Sequence, residues 1–304
     1  MEDQDLNRRT ATPDTLLPLN SSTSQPSSVV SRKPYKTIEP RSGLQAINLR
    51  QLWRFRDLLL TLAERDIKLR YRQTALGIIW VILQPLIAAG IFSFVFGGLA
   101  KMPSGGIPYF VFSYAGLLGW NVFSNTLTKC STVLIQNSQL ISKVFFPRLV
   151  LPLSTVFSTL IDFGVALGMM VVLMVLYRVA PSAGLILLPV WLILISLLAL
   201  GVGLYAAALT VSYRDIQYII PVVIQFLLFG SPVAYAVPHL REPLRTIYYL
   251  NPLASLLEAF RWSLLGKGEL QPTYLAYASV FSCLVFVGGA YAFKSMERRF
   301  ADVI

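Results

Sequence analysis

Few side chains in this 304-residue chain combine the right type with a setting for chemistry. Asp162 stands alone in an otherwise uncharged block that follows Arg148 and runs to Tyr177. A carboxylate in such a block serves either a proton relay or a hydrogen bond between helices. A proton-coupled carrier usually needs more than one, which favours a neutral or hydrogen-bonded Asp162. The single histidine, His239, leaves no partner for a His-based metal site or a catalytic triad. A phosphate loop needs Gly, four residues, then Gly-Lys and a hydroxyl. The only Gly-Lys, Gly266-Lys267, has Arg261 at the first glycine place and Gly268 at the hydroxyl place. The chain therefore cannot hydrolyse ATP by that route. Cys130 and Cys283 have neither metal-ligand nor Cys-x-x-Cys spacing and read as reduced packing residues. No catalytic residue and no metal ligand is expected.

The elements around these residues are set by apolarity. Hydrophobic residues make up 55% of the chain and charged residues 13%, and the apolar residues run in unbroken blocks. This composition excludes an ordinary soluble enzyme and predicts an all-α integral membrane protein. Blocks long enough for about 30 Å of hydrocarbon predict six spans, near residues 76–99, 108–127, 150–177, 185–211, 216–237 and 271–293. Pro103 to Gly106 turns the chain between the first two, and Gly230-Ser231-Pro232 should break the fifth near its far end. With both termini inside, 20 of the 26 Lys and Arg lie on inner segments, so N-in, C-in is predicted. The net charge of +11 reads as orientation and not as nucleic-acid binding. Residues 1–44, rich in Ser, Thr and Pro, are expected to form a disordered cytoplasmic tail without a cleavable signal.

Three further segments are not spans. Residues 45–73 hold an amphipathic interface helix whose stripe is Leu49, Leu52, Trp53, Leu59, Leu60, Ala63, Ile67 and Tyr71. Arg56, Asp66 and Arg70 interrupt that stripe, so part of it is expected to meet protein. Between spans two and three, Lys129 to Arg148 holds a helical stretch, Thr132 to Lys143, followed by Phe145-Phe146-Pro147. This inner loop suits either docking on a soluble partner or packing on the bundle. Pro238 to Glu269 contains an uncharged run, Thr246 to Leu257, too short to span. It predicts a pair of short re-entrant helices broken at Asn251-Pro252. Gly164 and Gly168 form a GxxxG pair suited to close helix packing. Phe92, Phe96, Tyr109 and Phe112 cluster near the outer end, where aromatic faces suit a conduit for sugar rings.

Read together, Arg70-Tyr71-Arg72-Gln73-Thr74, Leu76-Gly77, Trp80 and Pro85 open span one in a recognisable way. Asn137, Leu140 to Arg148 and Pro152 follow span two. Tyr213-Arg214-Asp215, Ser231-Pro232-Val233, Tyr235 and Asn251-Pro252 come after them. In this order, over about residues 50 to 300, the chain resembles the permease subunit of bacterial ABC exporters for O-antigen, capsule and teichoic acid polymers. The resemblance implies a homodimer in the inner membrane, driven by two copies of a separate ATPase that binds ATP and Mg; this chain would hold no cofactor. It implies a cytoplasmic coupling helix that meets the ATPase through Asn137, Leu140, Ile141, Lys143, Phe145, Phe146, Pro147 and Arg148. It also implies an outer gate at Tyr248, Tyr249, Asn251 and Pro252. Arg70 and Arg72 would meet a lipid-linked diphosphate or simply anchor the chain to the inner surface. Competing readings are an ABC exporter of a lipid or drug, a secondary carrier using Asp162, and a membrane glycosyltransferase, for which only Asp215, Glu297 and Asp302 are available on the inner side beyond the N-terminal part.

Overall fold

The computed structural model describes residues 53–72, 79–235, 244–268 and 270–297. The expected tail at 1–44, the start of the interface helix, residues 76–78 of span one, 236–237 of span five and His239 lie outside the described residues. The described residues are helices and turns without a strand. In chain order the helices are α1 (Arg56–Arg72), α2 (Ile79–Phe92, continued by a π-helical turn Ser93–Leu99), α3 (Tyr109–Gln136), α4 (Ser138–Lys143), α5 (Val150–Leu176), α6 (Leu188–Ser212, entered through a 3-10 turn Ala183–Leu187), α7 (Ile216–Phe229), α8 (Leu244–Leu250), α9 (Pro252–Leu265) and α10 (Pro272–Met296).

Among the described residues four helical segments are long and apolar enough to cross a membrane: Ile79–Leu99, Val150–Leu176, Ala183–Ser212 and Pro272–Met296. The segments at the other two expected spans differ in kind. Helix α3 has 28 residues, about 42 Å, but is studded with Ser, Thr, Asn and Gly and lies at the centre, packed on α2, α5, α6, α7 and α9. Helix α7 has 14 residues, about 21 Å, and stops at Gly230 where the Gly-Ser-Pro break was expected. The short pair expected between Pro238 and Glu269 is present as α8 and α9. Asn251 separates them and caps α9, its Oδ1 accepting the Leu253 N–H at 3.1 Å, with Pro252 at the first helical position where its missing N–H costs nothing.

Two apolar clusters form the interior. The larger surrounds Val111, Leu118, Ile195, Leu256 and Phe260. The smaller, at the Asn137 end of α3, joins Leu62 of α1 to Leu134, Phe146, Leu151, Leu204 and Phe293. Helix α1 thus turns Leu62 and Ala63 into the bundle, while Trp53 and Leu60 of the expected stripe stay exposed. The stripe read from the sequence holds two faces, one for protein and one left uncovered.

Backbone contact between helices falls where the sequence did not point. A Cβ on Gly164 or Gly168 would meet nothing within 4 Å, so this pair packs no helix inside the chain. The close approach is between α6 and α10, where a Cβ on Gly289 would stand 2.0 Å from the Gly201 carbonyl oxygen. Gly116 of α3 plays the same part against the broken segment, since its Cβ would lie 2.3 Å from the Val233 carbonyl oxygen. Cys130 is buried against Gly203, as a packing residue should be, but Cys283 is exposed on α10.

Candidate functional site

At the Asn137 end the expected coupling residues form a projecting loop. Helix α3 runs past Lys129 and Thr132 to Gln136, so the short helix is only the six residues Ser138–Lys143. The expected stretch Thr132 to Lys143 is therefore two helices meeting at Asn137. The cause is local: the Asn137 side chain turns back, its Nδ2 donating to the Val133 carbonyl at 2.9 Å. Asn137 Oδ1 accepts from Arg65 Nη2 at 2.7 Å, and the same guanidinium pairs with Asp66 at 2.9 Å. This clasp ties the surface helix α1 to the joint between α3 and α4.

Beyond α4 the two phenylalanines part. Phe146 is 6% exposed and belongs to the smaller cluster, where Leu140 and Ile141 lean on it. Phe145 is 92% exposed, beside a half-exposed Val144, with Lys143 exposed before them. Pro147 follows in the turn, and Arg148 Nη1 donates to the Glu297 carbonyl at 2.6 Å, fastening the loop to the end of α10. One ring roots the loop and the next presents an apolar knob. Arg70 and Arg72 lie in the last turn of α1, but their side chains fall outside what is described.

Asp162 is not solitary. Lys129 Nζ lies 3.0 Å from its carboxylate and 3.1 Å from Ser158 Oγ, so α3 and α5 share an ion pair inside the bundle. A cation normally ends a span, which puts Lys129 on the inner loop; its partner, 33 positions on, is what allows it within the helix. A periodic reading of α3 through Lys129 is the signal that finds it.

At the opposite end the chain has left the α7 helix, and its carbonyls are met by side chains. Tyr235 donates to Phe229 at 3.0 Å, Asn251 Nδ2 to Gly230 at 3.3 Å, Tyr109 to Ala234, and Arg261 to both Pro232 and Tyr235. Arg261, one of the six Lys and Arg that N-in topology leaves on outer segments, is 3% exposed and lies 4.2 Å over the Phe112 ring. Backbone carbonyls that leave a helix inside a packed bundle require such partners. The clue in the sequence is the apolar neighbourhood of Arg261, Leu257 to Leu265. Of the expected gate residues, Tyr248 meets Tyr235 edge to face at 5.7 Å, and Tyr249 stacks on Tyr274 at 4.6 Å and donates to Glu258 at 3.1 Å. The expected conduit residues form two pairs, Phe92 with Phe96 at 5.7 Å and Tyr109 with Phe112 at 5.6 Å, the second pair engaged with Arg261 and the broken segment. Among the described residues no cluster of His, Cys, Asp and Glu is arranged to hold a metal ion.

Residues 57–265, which reach from α1 through the projecting loop to the end of α9, match the ABC-2 type transporter family. The chain belongs to that family. Within the ABC-2 family it is similar to the O-antigen export system permease protein RfbA of Klebsiella pneumoniae, 30% identical over 256 residues, 82% of this chain and 95% of the relative. It is 29% identical over 260 residues to the protein of the same name from Myxococcus xanthus, covering 84% and 98% of the two chains. The polysialic acid transport protein KpsM of Escherichia coli is 24% identical over 244 residues, 77% and 91% of the respective chains. This ABC-2 protein is a multi-pass membrane protein and a component of a transport system.

Proposed function

We propose that this chain is the permease subunit of an exporter that moves a lipid-linked polysaccharide across the bacterial inner membrane, powered by ATP and Mg on a separate ATPase. The observation that carries the reading is its match to O-antigen export permeases over 95% and 98% of their length. Two copies would assemble with two ATPase chains, each copy crossing the membrane six times with both termini inside. The 19 inner cations that remain once Lys129 is counted within α3 favour that orientation. In it, α3 is the central span and α7 with the broken segment is the fifth. The loop at Asn137 to Arg148 then faces the cytoplasm, and Phe145 is the knob seated in the ATPase. The short helices α8 and α9 cover the exit. ATP-driven closure of the ATPase pair pushes the loop, and the clasp at Arg65 carries that push into α1. Arg70 and Arg72 stand at the membrane surface where a diphosphate would arrive.

Deleting the gene tests this directly. Long-chain polysaccharide is expected to vanish from the cell surface while lipid-linked polymer accumulates inside, with rescue by the intact gene and none when the partner ATPase is disabled. Unchanged surface and internal polymer would overturn the polysaccharide cargo and send the search to lipids and small molecules. Rescue without an active ATPase would overturn the ABC mechanism itself.

A further inference from the structure

Between α1, α3 and α5 lies an open cavity of about 300 Å³, and no step of polymer export accounts for its chemistry. Its walls carry two cations and two carboxylates: Arg65 beside Asp66 at the α1 side, and Lys129 beside Asp162 between α3 and α5. Asn137 and Ser158 add an amide and a hydroxyl. A polar cavity of this size is not expected to be dry, since about 300 Å³ leaves room for about ten waters at roughly 30 Å³ each.

Its depth follows from helix length. Helices α3 and α5, with 28 and 27 residues, measure about 42 and 40 Å, the thickness of a bilayer including its headgroups. Lys129 sits about 10 Å from the Gln136 end of α3. With α3 as the central span proposed above, the mouth of the cavity, at Arg65 and Asn137, is level with lipid headgroups, and its floor at the Lys129–Asp162 pair lies just below them. Ile67 and an exposed Leu69 border the same cavity, as acyl chains require.

Charge selects the occupant. The four charged groups sum to zero, so a diphosphate or an anionic headgroup would meet two carboxylates as it met the two cations. A group carrying both signs is matched. Its phosphate has Arg65 and Lys129 to accept from, and its ammonium has Asp66 and Asp162 to donate to. An ethanolamine headgroup has three N–H donors for those carboxylates, whereas choline has none. We propose that this cavity binds the headgroup of an ethanolamine phospholipid from the surrounding bilayer. Because Arg65 also holds Asn137, the lipid would sit at the joint between the surface helix and the projecting loop. The site depends on the membrane and not on the cargo, so it stands or falls apart from polysaccharide export.

Native mass spectrometry of the delipidated full-length protein tests it, with phosphatidylethanolamine, phosphatidylcholine, phosphatidylglycerol and a polyprenyl diphosphate added in turn. Phosphatidylethanolamine is expected to be retained about ten-fold more tightly than the other three, the worth of one charge-assisted hydrogen bond. Arg65→Gln and Asp66→Asn, both at partly exposed side chains, should each erase that preference, while Arg65→Lys keeps part of it. Equal retention of ethanolamine and choline lipids would mean ordinary lipid contact or water only, and would overturn the proposal. So would tighter binding of the polyprenyl diphosphate, which would make the cavity a cargo site. A preference for ethanolamine that survives both variants would place the lipid elsewhere and overturn it as well.

Discussion

The two ends of the molecule are fastened by different physics. At the Asn137 end, elements are joined by long charged side chains that are partly exposed: Arg65 across α1 and α4, and Arg148 to the end of α10. At the Asn251 end, the donors Arg261, Tyr109 and Asn251 are aimed at the carbonyls of a broken helix. Partly exposed pairs gain little net energy and exchange partners readily. A buried donor that leaves its acceptors bare costs the full desolvation of those groups. The first end is built as a joint that can change, the second as one that opens only when its whole set of bonds moves together.

Substitutions sharpen this contrast, beginning with the buried groups. Arg261→Leu should strip two carbonyls of their donor and cost about 3–5 kcal/mol, read as a large drop in the melting temperature of the detergent-solubilised protein. A shift under a degree would show that the broken segment does not depend on it. Asp162→Leu leaves the Lys129 ammonium at the cavity wall without its carboxylate and should cost about 2–3 kcal/mol, whereas Lys129→Met with Asp162→Leu should recover most of the loss. Equal losses in the single and double variants would mean that the ion pair is not what stabilises the α3–α5 contact.

The neighbouring phenylalanines separate root from knob. Phe146→Ala should cost about 3 kcal/mol by opening a cavity in the smaller cluster, and Phe145→Ala should change stability by less than about 0.5 kcal/mol. Phe145→Ala should nevertheless abolish surface polymer and ATPase co-purification; retained co-purification would remove Phe145 from the docking surface. Arg65→Ala should also cost little, at most about 1 kcal/mol, shrinking further at high salt. A larger, salt-independent loss would erase the distinction between the two ends.

How much of this was legible in the sequence follows from how far each signal reaches. Long apolar blocks mark α5, α6 and α10 within a few residues, because hydrocarbon imposes the same length on every span. Asn251-Pro252 announces its own turn through local capping chemistry. A lone cation in an apolar run normally marks a boundary, which puts Lys129 on the inner loop and Arg261 on the outer segment of short helices. What keeps each one inside is a set of partners far along the chain, Asp162 for one and Pro232 and Tyr235 for the other. The glycines fail in the same way. Gly164 and Gly168 carry the familiar spacing, yet the close contact is made by Gly201 and Gly289, whose pairing is set by which helices lie side by side.

That contact between α6 and α10 gives the molecule a fixed frame. Two helices whose backbones touch at Gly201 and Gly289 have no side-chain layer over which to slide, so they move as one piece while the loop, the surface helix and the broken segment shift around them. Cys283, exposed on α10, sits on that piece. A probe attached to its thiol is therefore a stationary benchmark: distances from it to labels on the loop or on α8, recorded with and without ATP, report displacement of those parts alone.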